Sequence, residues 1–313
     1  MLNTVENFLN KYNIKNATIA LGFSSGPDSC ALALILNELK EKYNLKLILC
    51  YFNHNWRDEA LEEEIFTENF AKKLNIDFLI GKAPKDAKKS EEIARELRYE
   101  FFNEISKKYN SEHIFLAHNK NDNIETLIYR IIKGTSIKGL CSIPEKREIF
   151  YRPFLSITKD EILNFLKQNN QNFMIDSSNE DTKYKRNLIR KKILPLFKEI
   201  SPNYLNNIEN LIKNSINSRE IIEEKIEEIK KEIFNNDKIY YEKYVNLDVK
   251  YRLEILNDFI GNYLKYRNRK NLIMYDDFIL NNKHSKTSLN SDYFLRTRYK
   301  MIFIEENNKC KKI

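Results

Sequence analysis

Apolar and polar positions follow two rhythms along the first half of the chain. Thr18-Ile19-Ala20-Leu21 is a short apolar run that predicts a buried strand, and Cys30 to Leu36, continued by Leu39, keeps apolar residues at helical spacing. Leu45 to Phe52 predicts a second strand followed by a helix over about 59–74. Ile76 to Ile80 predicts a third, followed by a helix over about 90–109, and His113 to Ala117 a fourth, followed by a helix over about 123–133. This alternation implies right-handed crossovers and an α/β fold with a doubly wound, mostly parallel sheet. Such sheets bind ligands outside the carboxyl ends of their strands. The residues just past those ends are polar: Ser24-Ser25-Gly26, Asn53-His54 and His118-Asn119. Core packing does not explain polar groups gathered on one rim, so this rim is the expected site.

Beyond Phe154 the strand pattern stops. Thr158 to Asn169 reads as a helix, with Thr158 as N-cap and Glu161 completing a capping box. A polar loop, Asp176 to Asp181, leads to a basic helix from about Lys185 to Leu194, which Pro195 is expected to end. Ser201-Pro202-Asn203 reads as a joint before a long charged helix reaching Ile233, with a break in its middle left open. A helical stretch near 251–264 follows, and Thr287 to Ile304 predicts a small hairpin turning at Asn290-Ser291-Asp292. The organisation expected is a first domain at 1–205 and a smaller, mainly helical C-terminal domain, ending in a hairpin, at 206–313.

Composition narrows the classes. A chain of 313 residues with 42% apolar content suits two ordinary cores. No apolar run approaches the roughly 18 residues of a membrane span, and Met1 to Glu6 shows no secretory pattern, so a cytoplasmic protein without a membrane partner is expected. Four scattered cysteines (Cys30, Cys50, Cys141, Cys310), with no Cys-x-x-Cys, argue for a reducing compartment and against a zinc ribbon or iron–sulfur site. The net charge is +8, and the window from Arg130 to Ile200 holds 15 Lys/Arg against 8 Asp/Glu. Arg152, Lys183, Lys185, Arg186, Arg190, Lys191 and Lys192 lie there. Such a segment is either the footprint of a polyanion or the solvated face of a lysine-rich chain.

The candidate chemistry starts at Phe23-Ser24-Ser25-Gly26-Pro27-Asp28-Ser29. A small-residue turn between strand and helix aims backbone N–H groups at an anion over the helix N-terminus, with Ser24 and Ser29 adding hydroxyls, Gly26 allowing close approach and Pro27 suiting the first turn. An ordinary helix cap is the alternative. The Gly-Lys-Ser/Thr of a Walker loop is missing, which favours AMP-forming chemistry over γ-phosphoryl transfer. Three further clusters belong with it. Asn53 to Ala60 follows the second strand. Ser90 to Tyr99 sets Arg95 and Arg98 on one helix face. Ala117 to Thr126 sets Asp122 and Glu125 on another, where they could hold Mg²⁺ or grip a cationic substrate, or else form a capping box with Asp122 as N-cap.

Together these clusters resemble the N-type PP-loop ATP pyrophosphatases and, among them, the tRNA(Ile)-lysidine synthetase family. Ser24, Gly26, Asp28 and Ser29 match Ser-Gly-Gly-x-Asp-Ser, with Ser25 in place of the first glycine. His54 and Arg57 match His-x-x-Arg, and Ala94, Arg95, Arg98 and Tyr99 match Ala-Arg-x-x-Arg-Tyr. Ala117, His118, Asp122, Glu125 and Thr126 match the next motif, continuing to Lys133-Gly134-Thr135 and Gly139-Leu140, with Asn121 where many members carry an aspartate. Arg152-Pro153-Phe154-Leu155, Asp176 to Asn179, Arg186 to Arg190 and Leu194-Pro195 complete the series, which runs in order from about Ile19 to Leu196.

The resemblance implies that ATP activates the wobble cytidine of a CAU-anticodon isoleucine tRNA at its 2-carbonyl oxygen. The ε-amine of free L-lysine then attacks, releasing AMP, with pyrophosphate lost in the first step. It assigns the ATP phosphates to Ser24, Ser25, Gly26, Pro27, Asp28 and Ser29, with Asn53 and His54 completing the ATP site and Asp28 placing Mg²⁺. Arg95 or Arg98 adds a cation, Asp122 and Glu125 hold lysine, and His118 positions the nucleotide or accepts a proton. Arg186, Asn187, Arg190 and Lys191 meet the tRNA, with Lys192 beside them, and the C-terminal region reads tRNA by shape. The chain looks like a short form of the family, and a homodimer is left open. A tRNA 2-thiolating enzyme and a non-catalytic tRNA-binding homologue are the other readings. A side chain at Ser25 would face pyrophosphate, and Asn121 would remove one carboxylate from the site.

Overall fold

A computed structural model describes residues 1–55, 60–84, 86, 90–175, 185–264 and 268–307. Trp56, Arg57, the 176–181 loop, Lys183 and Cys310 lie outside the described residues. The chain divides into two compact units, Met1–Ile216 and Asn217–Ile313.

The first unit runs α1 (Leu2–Lys11), β1 (Thr18–Phe23), α2 (Pro27–Tyr43), β2 (Lys46–Asn53), α3 (Ala60–Leu74), β3 (Asp77–Lys82), α4 (Glu91–Tyr109), β4 (His113–Leu116) and α5 (Lys120–Lys133). Then come α6 (Ile137–Leu140), β5 (Lys146–Arg147), β6 (Phe150–Tyr151), α7 (Lys159–Gln168), α8 (Lys185–Leu188), a π-helical turn (Ile189–Ile193), α9 (Leu194–Ile200) and the start of α10 (Tyr204–Ile233). The sheet order is β3-β2-β1-β4-β6-β5, parallel except for β5. Strand order therefore reverses between β1 and β4, which puts the switch point, and the crevice above it, between the loop after β1 and the loop after β4.

Pleating sends alternate residues of β1 to opposite faces. Ile19, Leu21 and Phe23 join one core with α1, α2 and α7, while Ala20 joins a second with Phe102 and Ile105 of α4. Gly22 lies on the second face, where an added Cβ would meet Leu116 at 2.7 Å and Phe102 at 2.9 Å, so only glycine lets α4 pack this closely. A third small core, Ile124 and Ile128 with Ile189 and Leu194, fastens the basic segment to α5.

Two expectations change here. The basic helix does not end at Pro195. Proline sits in the first turn of α9, and the preceding turn widens so that the Leu194 N–H reaches Ile189 O. Proline cannot bond back to Lys191 and its ring crowds that carbonyl, which explains a π turn in place of a stop. Helix α10 is unbroken, and the units divide inside it, past the 205/206 boundary read from the sequence.

The second unit contains the end of α10, β7 (Phe234–Asn235), β8 (Lys238–Tyr240), α11 (Tyr241–Val245), α12 (Val249–Phe259), α13 (Arg269–Asn281), β9 (Ser285–Ser288), β10 (Tyr293–Arg298) and β11 (Met301–Glu306). The expected hairpin turn lies between β9 and β10, within an antiparallel sheet of order β7-β8-β11-β10-β9. The unit is therefore richer in strand than expected, because strands of two or three residues such as β7 and β8 carry no readable period. Tyr244 and Arg252 both bond the buried Asp276, at 2.8 and 3.0 Å, so its charge is paired inside the core.

Candidate active site

The loop after β1 closes on itself. Ser24 N–H donates to Ser29 Oγ at 3.2 Å, and Ser29 Oγ donates to Gly26 O at 3.0 Å. Gly26 caps α2 and Pro27 opens it. Gly26 has an ordinary φ of −75°, and the left-handed residue of the loop is Ser25 at φ 59°. Its side chain turns to α3: the buried hydroxyl lies 3.0 Å from Thr67 Oγ1 and donates to Glu63 O.

Replacing Ser25 by glycine should relieve about 1 kcal/mol of left-handed strain and lose a buried hydrogen bond worth about as much. Thr67 keeps its bond to Glu63 O. Ser25→Gly should therefore stay within about 1 kcal/mol of the wild type, whereas Ser25→Ala keeps the strain and should fall about 1 kcal/mol below Ser25→Gly in urea titrations.

Asp28, in the first turn of α2, is held from two directions. Lys159 Nζ donates to both carboxylate oxygens at 2.9 Å, and Asn119 Nδ2 donates to Oδ1 at 3.1 Å. Burial pushes its pKa above the ordinary value, with Lys159 pulling the other way and Asp122 adding to the rise. The sequence pattern missed Lys159, whose place at a capping box gave no sign of a partner on α2. Asn121 has a different use from the one expected: its Oδ1 accepts the Lys159 N–H at 3.0 Å, and Lys120 N–H bonds Ile157 O at 2.9 Å. Together they tie the start of α5 to the start of α7. Lys120 was also missed. Its buried ammonium pairs with Glu209 at 2.5 Å and so anchors α10 to α5.

The cap of α5 is Asn119, with Asp122 as the reciprocal partner of its capping box. The box therefore lies one turn earlier than the alternative with Asp122 as N-cap, and Glu125 is left out of it. Glu125, 2% exposed at the side chain, takes Arg190 in a fork, Nε to Oε1 at 2.7 Å and Nη2 to Oε2 at 3.0 Å. The same Nη2 lies 3.5 Å from Asp122 Oδ1. Burial raises the Glu125 pKa, and Arg190 draws it back. Asp122 and Glu125 thus share a face, as spacing predicted, and that face holds a cation carried on the π turn.

His118 is pushed down to about 3 by burial and by Arg152, Arg98, Arg186 and Arg95, in that order. It is neutral at physiological pH and a weak proton acceptor, and its buried Nδ1 has no hydrogen-bond partner among the described residues. Arg95 lies over the Tyr99 ring at 5.1 Å. Arg98 and Arg186 belong to the same positive neighbourhood, with Arg186 and Lys192 exposed and Asn187 buried. Asn53 works locally, its Nδ2 donating to Glu64 at 2.6 Å, and His54 meets the Phe52 ring edge-on.

Residues 1–197 match the PP-loop domain family. The chain belongs to the PP-loop family. It is 36% identical over 252 residues to a tRNA(Ile)-lysidine synthase of Clostridium tetani, covering 77% of this chain and 52% of that protein. It is 28% identical over 301 residues to one of Francisella philomiragia, covering 93% of this chain and 74% of the relative. The chain thus spans about half the length of the first of these. In fold, this PP-loop protein is similar to the U34-tRNA thiolase NcsA of Methanococcus maripaludis, with TM-score 0.57 and 17% identity over 68% of this chain and 78% of that one. Among the described residues, no helix is long and apolar enough to cross a membrane.

Proposed function

We propose that this PP-loop protein is a tRNA(Ile)-lysidine synthase, joining L-lysine to C2 of the wobble cytidine of a CAU-anticodon isoleucine tRNA. The observation that carries the reading is a cation-holding carboxylate pair, Asp122 and Glu125, linked through the Asn119 capping box to Asp28 at the phosphate-binding loop. Adenylation needs an anion site, and amination needs an ammonium site beside it. Both lie at one switch point.

The loop amides and the α2 N-terminus would take the phosphates, stabilising charge as pyrophosphate departs. The cytidine 2-carbonyl oxygen bonds the α-phosphorus while the bond to the bridging oxygen breaks, and that oxygen keeps the electron pair. Mg²⁺ would be held mainly by substrate phosphates and would supply positive charge there, with Asp28 able to join it only by sharing a carboxylate whose two oxygens already carry Lys159. Asp122 and Glu125 would receive the lysine side chain, which must displace Arg190 from the pair. One of these carboxylates would take a proton from the ammonium, the freed amine would attack C2, and the adduct would lose its second proton to water as the C2–O bond breaks and AMP leaves with the electron pair. His118 suits hydrogen bonding to a base or ribose, since a group titrating near 3 gains little by taking an ammonium proton.

Arg186, Lys191 and Lys192 would meet tRNA backbone, while the buried Asn187 stays within the fold. In the second unit, register sets Arg296, Phe303 and Lys286 in one cross-strand row. Lys238 lies over Phe303 at 5.3 Å and Lys286 over Phe294 at 4.3 Å. Arg296 is paired on this face with Glu305, so Lys238 and Lys286, each over an aromatic ring, are the cations suited to RNA. Changing Lys238 and Lys286 together to glutamine should weaken tRNA binding several-fold and flatten its salt dependence by about two ions, with ATP binding intact.

The test of the reaction is incubation with ATP, labelled lysine and CAU-anticodon tRNA, followed by digestion and a search for labelled lysidine. No lysidine, with lysine-independent sulfur incorporation instead, would favour the thiolase. Against that alternative, burial pushes the Cys30 and Cys50 thiols up, away from the reactive thiolate.

A further inference from the structure

The loop after β1 contains no lysine, yet an ammonium is present at it. Lys159 comes from the far side of the sequence, 131 residues from Asp28, and lays its Nζ on both oxygens of that carboxylate. We propose that Lys159 is the phosphate-binding lysine of this site, supplied from α7 and held by Asp28 for contact with the leaving pyrophosphate. This rests on the reading of the loop as a phosphate site.

Three observations carry it. First, Lys159 is the first residue of α7, where a cation opposes the helix dipole, and Asp160 and Glu161 already supply the acidic first turn. Stability of α7 does not call for a lysine there. Second, its backbone is fixed more firmly than a surface ion pair would need. Asn121 Oδ1 takes its N–H, Lys120 N–H takes Ile157 O, and the Thr158–Glu161 box closes the same turn. Third, both side chains remain partly exposed, at 34% and 26%, although Asp28 is desolvated enough for its pKa to rise. An ammonium has three donors. Asp28 takes two, and among the described residues no other bond to the ammonium is present, which leaves one for a phosphate oxygen. In the adenylation step Lys159 gives up no proton. It offsets the negative charge that collects on the bridging oxygen as the Pα–O bond breaks.

The probe is inorganic pyrophosphate, titrated calorimetrically into the full chain in EDTA and again with Mg²⁺. Lys159→Met should bind it at least about 10-fold more weakly than wild type in EDTA, as expected for a lost charge-assisted hydrogen bond, while Lys159→Arg stays within about 3-fold. Equal binding by wild type and a folded Lys159→Met overturns the proposal. If Lys159→Met does not fold, the Asp28→Asn/Lys159→Met pair removes both charges. That protein binding pyrophosphate as tightly as Asp28→Asn alone would also overturn it. Wild type that binds neither pyrophosphate nor ATP refutes the phosphate site itself. Wild type that binds both but makes no lysidine refutes only the tRNA reading and leaves Lys159 in place.

Discussion

Asp28→Asn should eliminate adenylation, lowering tRNA-dependent pyrophosphate release on the order of 10³-fold, equivalent to roughly 4 kcal/mol. The carboxylate is the common partner of Lys159 and Asn119, so its charge fixes both the ammonium and the entrance to α5. An amide of the same shape keeps the contact with neither the charge nor the two-pronged geometry. Binding of tRNA should change little, because Asp28 is at the phosphate loop and the basic residues offered to RNA are elsewhere. Retention of even a tenth of wild-type release would remove Asp28 from the chemistry.

The same substitution has an opposite consequence for stability. The Asp28 pKa is raised in the fold, chiefly by burial. A carboxyl with a raised folded value contributes stability below its unfolded value, near 3.8, and loses it as pH climbs through the raised value. At neutral pH the ionised group therefore weighs against folding. Asp28→Asn should melt no lower than wild type at neutral pH, and wild type should gain on it as pH falls into that window. Lys159 is exposed enough to stay solvated when its partner is neutral. A dead enzyme that is no less stable is the expected mark of a site selected for chemistry.

What was legible in the sequence was local. The rhythm of strands and helices up to α5 follows from burial of alternate faces, and the turn Ser24 to Ser29 carries its own chemistry. What was not legible depended on tertiary placement. Lys159 reads as the start of a well-capped helix, and nothing in its neighbours points to Asp28. Asn121 reads as a lost carboxylate until its side chain is seen holding the Lys159 N–H. Arg190 reads as one more charge in a basic run, and only the packing of Ile189 and Leu194 against Ile124 and Ile128 aims it at Glu125. Ser25 was the opposite case, a departure visible in the sequence whose meaning depended on which way the hydroxyl turned.

Glu125→Gln and Arg190→Met should separate lysine binding from adenylation. Glu125 is nearly sealed from solvent and offers a full negative charge to whichever cation enters. Its amide should raise the KM for lysine by about 10–100-fold, the scale of a charge-assisted bond, while pyrophosphate release stays within about 3-fold of wild type. An unchanged lysine KM would remove the pair from lysine recognition. Arg190→Met acts in the other direction. It deletes the cation that lysine must displace, so the free protein should bind labelled lysine more tightly than wild type at alkaline pH. It also takes away the contact that draws the Glu125 pKa down, so burial should raise that pKa further. Lysine binding to this variant should then strengthen as pH rises and Glu125 ionises, a dependence weaker in wild type. If Arg190→Met instead binds lysine poorly at every pH, the guanidinium is a wall of the lysine site and the ammonium enters beside it.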